Sequence, residues 1–314
     1  MGMYRPFTRQ HNYFDRGLND MVYLLPRMFP TPRHDNVGIY QVGSGSAVPF
    51  SVLMVDAIPD LHVTGAGSGG QFFPRWTWES VGAETLDLGG EGEVVDDYRR
   101  IDNITDASLS RFQAAYGSDW TKDDVFYCCY GLLHSPDYRA TYAADLRKVL
   151  PRIPLLTDPG DARAFADAGR RLSELHLGYE SVEPYPLDGL EVDGPTGDAA
   201  YDFFAVGAKK MRFGDNGKDR SLLHYNDRMT LSGIPEEAHR YQLGSRSAIE
   251  WIIDRYYIKS DKASGIVNDP NDWSREVGDP RYILDLIARI VAVSMNTMEA
   301  VDGLPPLAIR DEQK

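Results

Sequence analysis

The chain has 314 residues, of which 42% are hydrophobic and 25% charged, a composition that excludes a mainly disordered protein. No run of about 18 apolar residues is present, which excludes a membrane-spanning helix. The two cysteines, Cys128 and Cys129, are adjacent, so a disulfide scaffold is excluded and reduced thiols in a cytoplasmic protein are expected.

The formal net charge of -14 is concentrated in two segments. Residues 79–106 contain nine acidic and two basic residues, and residues 180–202 contain seven acidic and no basic residues. These segments account for the whole net charge, so the remaining chain is neutral. A basic surface for nucleic acid is therefore compatible with the sequence, although the average charge argues against one.

The first 80 residues are predicted to form short strands at 37–42, 50–55 and 71–78, which are rich in β-branched and aromatic residues. Glycine loops at 43–46 and 65–70 lie between these strands, and an acidic connector covers 81–104.

From about residue 105 the apolar period becomes helical. Thr121 and Asp124 resemble a capping box that opens a helix, which Pro136 ends. Further helices are predicted over 137–149 and 161–177.

A loop rich in proline, glycine and acids covers 180–202, and a second β region follows at 203–213 and 221–231, joined through a turn at 214–217. Pro235 opens a further helical region that reaches Ile253. The last helix has Asp279 as its N-cap and Gly303 just past its end. In this helix Asp285 and Arg289 are spaced to form an ion pair.

These elements predict an α+β fold with a β-rich N-terminal half, a helical layer, a second β-hairpin region and a long C-terminal helix. The predicted parts are 1–104, 105–180 and 181–314, either as separate parts or as one composite domain.

The motif search gives no catalytic centre. The sequence has no HExxH, CxxC or GxSxG motif, and its glycine loop at 65–70 lacks the lysine of a phosphate-binding loop. Residues 268–271, Asn-Asp-Pro-Asn, lack the second proline and the aromatic ring of an amino-methyltransferase motif and are predicted to form a turn. A hydrolase that uses carboxylates from 84–106 is one alternative left open.

Three sets of residues have the chemistry of DNA contacts. Guanidinium and amide groups that can reach phosphates and base edges are clustered near the N-terminus, at Arg5, Arg9, Gln10 and Arg16. Basic side chains that can bind phosphates lie on the second β region, at Lys209, Lys210, Arg212 and Arg220. Polar residues that can approach a groove lie beside the glycine loops, at Ser44, Ser46 and Gln71. Each set also has a purely structural interpretation, as a strand with a buried aromatic face, a solubilising edge strand or a simple turn.

Longer blocks of the sequence resemble a known family. They are Tyr4-Arg5-Pro6-Phe7 through Tyr13-Phe14-Asp15-Arg16, Met21-Val22-Tyr23, Pro26-Arg27-Met28-Phe29-Pro30, Ile58-Pro59-Asp60-Leu61-His62, Gln71-Phe72-Phe73-Pro74, Tyr130-Gly131-Leu132-Leu133-His134-Ser135-Pro136-Asp137-Tyr138-Arg139, Leu150-Pro151-Arg152-Ile153-Pro154 and Ser247-Ala248-Ile249-Glu250-Trp251. With shorter blocks between them, they cover nearly the whole chain and look like the C-terminal specificity domain of type ISP restriction-modification enzymes.

The resemblance implies a non-catalytic module that recognises double-stranded DNA, and that is the C-terminal piece of a protein carrying adenine methyltransferase and helicase-nuclease parts upstream. It implies no cofactor in this chain, with S-adenosylmethionine, ATP and Mg expected in the upstream parts. The alternative outside this class is an acidic interaction scaffold or DNA mimic that does not bind DNA.

Overall fold

The computed structural model describes residues 1–311 with the exception of 16, 66, 68 and 82–91. The fold is α+β, as predicted, and it divides into two compact units. Unit 1 comprises Met1–Leu177 and Ala300–Lys314, and unit 2 comprises Gly178–Glu299. The three parts taken from the sequence stay a prediction about domain organisation.

The strands of unit 1 form three small sheets, with the strand orders β2-β1-β5, β4-β3-β6 and β7-β9-β8. Within the described residues they are β1 (Gly2–Arg5), β2 (Thr8–Gln10), β3 (Gly38–Val42), β4 (Val52–Val55), β5 (Ile58–Pro59), β6 (Gly70–Pro74), β7 (Trp76–Ser80), β8 (Val94–Val95) and β9 (Tyr98–Asp102). Every residue of β3 and β4 is buried, so this pair of strands is covered on both faces.

The strand predicted over 71–78 is two strands that belong to different sheets, β6 and β7. Arg75 lies between them and is only 4% exposed. Its guanidinium donates to Asp102 at 2.6 Å and to Asp123 at 2.7 Å. The two carboxylates offset the cost of burying this cation at the junction between the two sheets.

The helices of unit 1 follow the strands, apart from one short helix between β2 and β3. They are α1 (Leu25–Met28), α2 (Asp106–Tyr116), α3 (Lys122–His134), α4 (Pro136–Thr141), α5 (Ala143–Leu146) and α6 (Pro159–Leu177). The predicted capping box is present, since the Thr121 hydroxyl accepts from the Asp124 amide and the Asp124 carboxylate accepts from the Thr121 amide. The sequence therefore located the start of α3 correctly.

Helices α3 and α6 approach each other closely at two glycines. A Cβ atom on Gly131 would lie 2.1 Å from the Phe165 carbonyl oxygen, and one on Gly169 would lie 1.9 Å from the Tyr127 carbonyl oxygen. Both distances are shorter than van der Waals contact allows, so any larger side chain would separate the helices.

The single helix predicted over 137–149 is wrong, because two short helices, α4 and α5, occupy this stretch. The chain leaves the helical conformation at Tyr142, which has φ -102° and ψ 17°. Tyr138 before the break and Leu146 after it are both buried. The break lets each of the two helices bury its own apolar residue.

Unit 2 contains the second β region and most of the long C-terminal helix. Its elements are α7 (Asp198–Phe204), β10 (Arg212–Phe213), α8 (Gly214–Gly217), β11 (Asp219–His224), β12 (Thr230–Ser232), a 3-10 helix (Glu236–Arg240), β13 (Gln242–Leu243), β14 (Arg246–Ser247), α9 (Ala248–Arg255), β15 (Lys259–Ser260), β16 (Val267–Asn268), α10 (Asn271–Glu276) and α11 (Tyr282–Asp302). Strands β10, β11 and β12 form an antiparallel sheet in this order.

The turn predicted at 214–217 is confirmed. Asp215 and Asn216 have φ of 42° and 54°, so the segment labelled α8 is a left-handed turn that connects β10 to β11. The strand predicted over 203–213 is wrong except for β10, because 203 and 204 lie in α7 and 205–211 form no strand. The stretch predicted over 221–231 is two strands, β11 and β12. Likewise, the helical region predicted after Pro235 consists of a 3-10 helix, a two-stranded hairpin and α9.

Helix α11 has the predicted beginning and end. Asp279 accepts from the Arg281 amide at 2.9 Å, and the helix ends at Asp302, immediately before Gly303. The predicted partner of Asp285 is wrong, since its carboxylate accepts from Arg281 at 2.9 Å rather than from Arg289. None of the described helices combines the length and apolarity that crossing a bilayer requires.

Candidate nucleic-acid interface

The hairpin of β1 and β2 carries three of the predicted contact residues, Arg5, Arg9 and Gln10. The strands are antiparallel, with Met3 opposite Arg9 and Gly2 opposite Gln10. Phe7 makes the turn with φ of 56° and is fully buried, so it anchors the hairpin to unit 1. This anchor gives the polar side chains of the hairpin a fixed base.

The two arginines of this hairpin bind carboxylates on either side of β5: Asp56 lies between β4 and β5, and Asp60 directly follows β5. Arg5 donates to Asp60 at 3.2 Å and lies 4.0 Å from the centre of the Tyr4 ring. Arg9 donates to both carboxylate oxygens of Asp56, at 3.0 and 3.2 Å. The pairs fix the direction of each guanidinium and balance its charge, so this hairpin is not a strongly basic surface.

Three consecutive polar residues at the end of β2, Gln10, His11 and Asn12, are exposed. They line a cavity of about 220 Å³, together with Asp60 and backbone from β1 and β5. Each amide side chain offers a donor and an acceptor side by side, which is the pattern that pairs with an adenine edge. The sequence analysis selected Gln10 but not His11 or Asn12.

The residues predicted beside the glycine loops lie at one end of the sheet β4-β3-β6. Val42 is opposite Gly70, which brings the Ser44 loop to the same end as Gln71. Ser44 and Gln71 are exposed, whereas the Ser46 hydroxyl accepts from the Val48 amide at 3.0 Å. Ser46 therefore has a role within its own loop. Arg16, the remaining predicted residue of unit 1, lies outside the described residues.

Lys209, Lys210 and Arg212 lie together in unit 2, where they line a cavity of about 430 Å³. His224 and Arg228 line it as well, and we call this group of five residues the basic cavity. Two acids, Asp202 and Asp227, also lie on its wall.

Sheet register explains how the basic cavity forms. Arg212 is directly opposite His224, which is directly opposite Thr230, so the three side chains share one face of the sheet. On the other face Leu223 and Leu231 are fully buried. One face of this sheet therefore belongs to the core, and the other carries the basic cavity.

Local partners leave the cavity positively charged. Lys209 lies 3.8 Å from Asp227, and Arg228 donates to the Asp202 carbonyl oxygen at 3.1 Å. Arg212 is exposed and has no carboxylate partner among the residues that the structure describes. Its guanidinium is available for an external anion.

Lys210 is positioned by Asp254, which also accepts from Arg255 and lies 4.0 Å from Arg246. Burial tends to raise the pKa of Asp254, but the hydrogen bonds from Lys210 and Arg255 outweigh it and lower the pKa. One carboxylate thus holds three cations beside the cavity, which leaves this group with an excess of positive charge.

Arg220 does not join the basic cavity. It forms an ion pair with Glu250 at 2.9 Å and lines a separate cavity of about 420 Å³ with Lys218 and His239. It lies four positions before His224 on β11, a distance of roughly 13 Å along an extended strand. The four basic residues grouped by the sequence therefore lie in two places.

His224 and Arg228 are the basic residues of the cavity that the sequence analysis did not select. Arg228 follows a tight turn in which the Asn226 side chain accepts from the Arg228 and Met229 amides, each at 2.9 Å. An Asn-Asp-Arg sequence after a strand is a turn signal, but it does not show where the arginine points. The cross-strand register decides that.

Other chemistry receives no support from the described residues. They contain no cluster of three His, Cys, Asp or Glu side chains suited to a metal ion. The Asn271 side chain donates to the Val206 carbonyl oxygen at 2.9 Å and to the Asp269 carboxylate at 2.7 Å, and it accepts from the Val206 amide at 3.0 Å. Asp269 also accepts from the Asn271 amide, so it caps the turn as predicted. Of the acids considered for a hydrolase, Asp102 and Glu93 form ion pairs with arginines, whereas Glu84, Asp87 and Glu91 lie outside the described residues.

Comparison with known proteins gives a consistent result. The family model described as the type ISP C-terminal specificity domain matches residues 1–286. The chain is similar to the type ISP restriction-modification enzyme LlaBIII bound to DNA, with 31% identity and a TM-score of 0.81 over 98% of this chain and 18% of that one. It is also similar to a nuclease-deletion mutant of the type ISP enzyme LlaGI in complex with a DNA substrate mimic, with 37% identity and a TM-score of 0.77 over 99% and 25%.

A third solved structure, the DrdV-DNA complex, has 32% identity and a TM-score of 0.78 over 98% of this chain and 28% of that one. The chain thus spans between about a fifth and just over a quarter of the length of these relatives. No curated protein matches it.

Proposed function

Because the chain belongs to the type ISP C-terminal specificity domain family, we propose that it recognises a sequence in double-stranded DNA for a larger restriction-modification enzyme. The observation that carries this proposal is the basic cavity, which places uncompensated positive charge on the exposed face of a sheet. The family match, together with the DNA in the solved relatives, supports this role and not that of an acidic scaffold or DNA mimic.

In this proposal the basic cavity binds the phosphate backbone. Lysine and arginine side chains neutralise phosphates and release the counterions that surround DNA, which gives affinity without sequence preference. Arg212 has no local carboxylate partner in the described chain, and Lys210 is held in place by Asp254. We therefore assign backbone contacts to Lys209, Lys210 and Arg212, and a separate, peripheral contact to Arg220.

We assign base reading to the β1–β2 hairpin. Arg9 is held by both oxygens of Asp56, and Gln10 and Asn12 present exposed amides at the end of β2. A guanidinium or amide whose direction is fixed discriminates between base edges by about 1–3 kcal/mol for each good bidentate pair. Ser44 and Gln71 form a second, smaller candidate surface on the same unit. Arg5 pairs with Asp60, and Ser46 supports its own loop.

Catalysis is assigned to other parts of the larger enzyme. We propose that this chain has no catalytic centre, and that S-adenosylmethionine, ATP and Mg are bound by the methyltransferase and helicase-nuclease parts. We also propose a cytoplasmic location for the chain.

The test is fluorescence anisotropy of the chain with random-sequence duplex DNA, measured from low to physiological salt. Lys209→Glu combined with Arg212→Glu should weaken binding to every duplex and reduce the slope of log affinity against log salt by about 2, because about 0.9 is lost for each phosphate contact. Gln10→Ala should instead change the preferred sequence in a selection experiment and leave the salt slope unchanged.

The matched control is Lys148→Glu combined with Arg152→Glu, which makes the same change in charge at exposed positions of unit 1. Equal weakening by both pairs would mean that net charge alone matters and would remove the basic cavity from the interface. Absence of duplex binding at low salt, both for this chain and for the complete enzyme, would refute DNA recognition itself.

A further inference from the structure

Unit 2 carries a hairpin that projects from its surface. Its strands β15 and β16 are antiparallel, with Lys259 opposite Asn268 and Ser260 opposite Val267. Every residue from 259 to 268 is exposed, so neither face of the ribbon is covered by described parts of the chain. We call residues 259–268 the projecting hairpin.

The tip of the projecting hairpin is fixed by one side chain. The Asp261 carboxylate accepts from the Ala263 amide at 3.0 Å, the Ser264 amide at 2.8 Å and the Ser264 hydroxyl at 2.9 Å. Gly265 completes the turn with φ of 72°. These hydrogen bonds lower the pKa of Asp261, which keeps the carboxylate ionised as an acceptor. An isolated two-stranded ribbon is marginally stable, and this cap helps to hold its shape.

One face of the ribbon has the chemistry of base recognition. Opposite residues share a face and neighbours alternate, so Lys259, Asn268 and Ile266 lie on the same side. Ile266 is 67% exposed, so its side chain is accessible to a partner. An amide, an ammonium group and a branched apolar side chain match an adenine edge, a phosphate and a thymine methyl group respectively.

The base of the projecting hairpin is joined to the basic cavity. The Ile258 amide donates to the carbonyl oxygen of Gly207 at 2.9 Å, and Gly207 lines the same 430 Å³ cavity as the five basic residues. Lys210 lies 4.9 Å from the centre of the Tyr257 ring, just before the hairpin. The ribbon therefore rises from the same surface that we assign to phosphate binding.

We infer that the projecting hairpin enters the major groove of the bound duplex with its Lys259, Asn268 and Ile266 face towards the bases. The inference rests on the proposed function and adds a second reading element to it. The major groove is about 12 Å wide and admits a two-stranded ribbon, and the thymine methyl group and the distinctive adenine edge that this face matches are presented in that groove. Lys259 and Lys262 reach phosphates while the basic cavity binds the backbone next to the ribbon.

Site-directed cross-linking tests the position of the ribbon. Ala263→Cys places a thiol at the exposed tip. The natural thiols interfere little, because burial raises the pKa of Cys128 and raises that of Cys129 to about 12, which keeps both in the unreactive protonated form. The probes are duplexes containing the selected site, with a disulfide-activated tether on either the major-groove or the minor-groove edge of a base. We expect major-groove tethers to cross-link at least about tenfold more, and Ser118→Cys, an exposed position in unit 1, to show no such preference.

Binding measurements supply the second readout. Lys259→Gln combined with Lys262→Gln should reduce the salt slope by about 2, whereas Asn268→Ala should change sequence preference at constant slope. Lys148→Gln combined with Arg152→Gln is the matched control. The hairpin inference is overturned if the hairpin variants change neither the salt slope nor the sequence preference and no major-groove cross-link forms. The proposed function stands in that case if the basic-cavity variants still weaken binding. If no variant of this chain or of the complete enzyme binds duplex DNA, both are overturned.

Discussion

Two buried histidines should make unit 1 sensitive to mild acid. His134 on α3 and His176 on α6 are 4% and 1% exposed, and their ring centres lie 5.5 Å apart. The Tyr130 hydroxyl accepts from the Met54 amide at 2.8 Å and lies 2.5 Å from Nδ1 of His176. With the His176 ring neutral, the Tyr130 hydroxyl can donate its proton to Nδ1 while it accepts from Met54.

Burial lowers the pKa of both rings, that of His176 to about 3 and that of His134 well below its usual range. In the unfolded chain each histidine titrates near about 6.5, so unfolding takes up protons as the pH falls below this value. The stability contributed by the neutral rings is therefore fully present above about pH 6.5 and is lost progressively towards the folded pKa. At pH 5 the loss from His176 is about 2 kcal/mol, and His134 adds a loss in the same direction, against a typical total of about 5–15 kcal/mol.

The perturbation is His176→Gln, which keeps an acceptor for Tyr130 but does not titrate. The free energy of opening is measured at pH 7, 6 and 5 by hydrogen exchange at Leu132 and Leu172, both buried in the helices that carry the pair. We expect the change in free energy between pH 7 and pH 5 to be about 2 kcal/mol smaller in the variant than in the wild type. Carboxylates contribute little in this window, because even the strongly perturbed Asp124, with a pKa lowered to about 2, loses its contribution only below about pH 4.

His224→Gln, at a half-buried position in unit 2, is the matched control and should leave the exchange at α3 and α6 unchanged at every pH. A wild-type free energy that stays constant between pH 7 and pH 5 would refute the reasoning. So would a pH dependence that His176→Gln does not reduce.

Two further predictions concern packing and charge. Gly131→Ala should destabilise unit 1 by about 3 kcal/mol or more, because its Cβ would lie 2.1 Å from a backbone oxygen of α6. Urea unfolding measures this loss, with Gly207→Ala as the control, whose Cβ would meet nothing closer than 3.9 Å. Equal losses of stability in the two variants would contradict the prediction. Asp254→Asn should strengthen binding to random duplex DNA and steepen the salt slope by about 1, because it releases a cation beside the basic cavity. The control Asp167→Asn, at an exposed position in unit 1, should change neither the affinity nor the slope. A slope unchanged by Asp254→Asn would show that these cations face away from DNA.

The sequence by itself determined the features that depend on neighbouring residues. The capping box of Thr121 and Asp124, the turn at 214–217 and the end of α11 before Gly303 are each set by a few consecutive side chains and backbone angles. The α+β fold class follows from the change of apolar period along the chain. The family was recognisable because its sequence blocks are long and extend through nearly the whole chain.

Tertiary structure decided which charges meet. Arg9 is paired with Asp56 and Arg5 with Asp60, residues about fifty positions away, and no local pattern predicts such pairs. The same holds for Arg75 and its ion pairs with Asp102 and Asp123. Arg75 lies between β6 and β7, where the sequence predicts one continuous strand.

The candidate interface shows the same limit. The sequence found the basic residues of the second β region but grouped Arg220 with Lys209, because nearness along a chain does not show which cavity a side chain lines. The register of β10, β11 and β12 places Arg212 beside His224 and leaves Arg220 roughly 13 Å away. A one-residue shift in that register would turn the basic face into the core, so it is the burial of Leu223 and Leu231 that fixes the site.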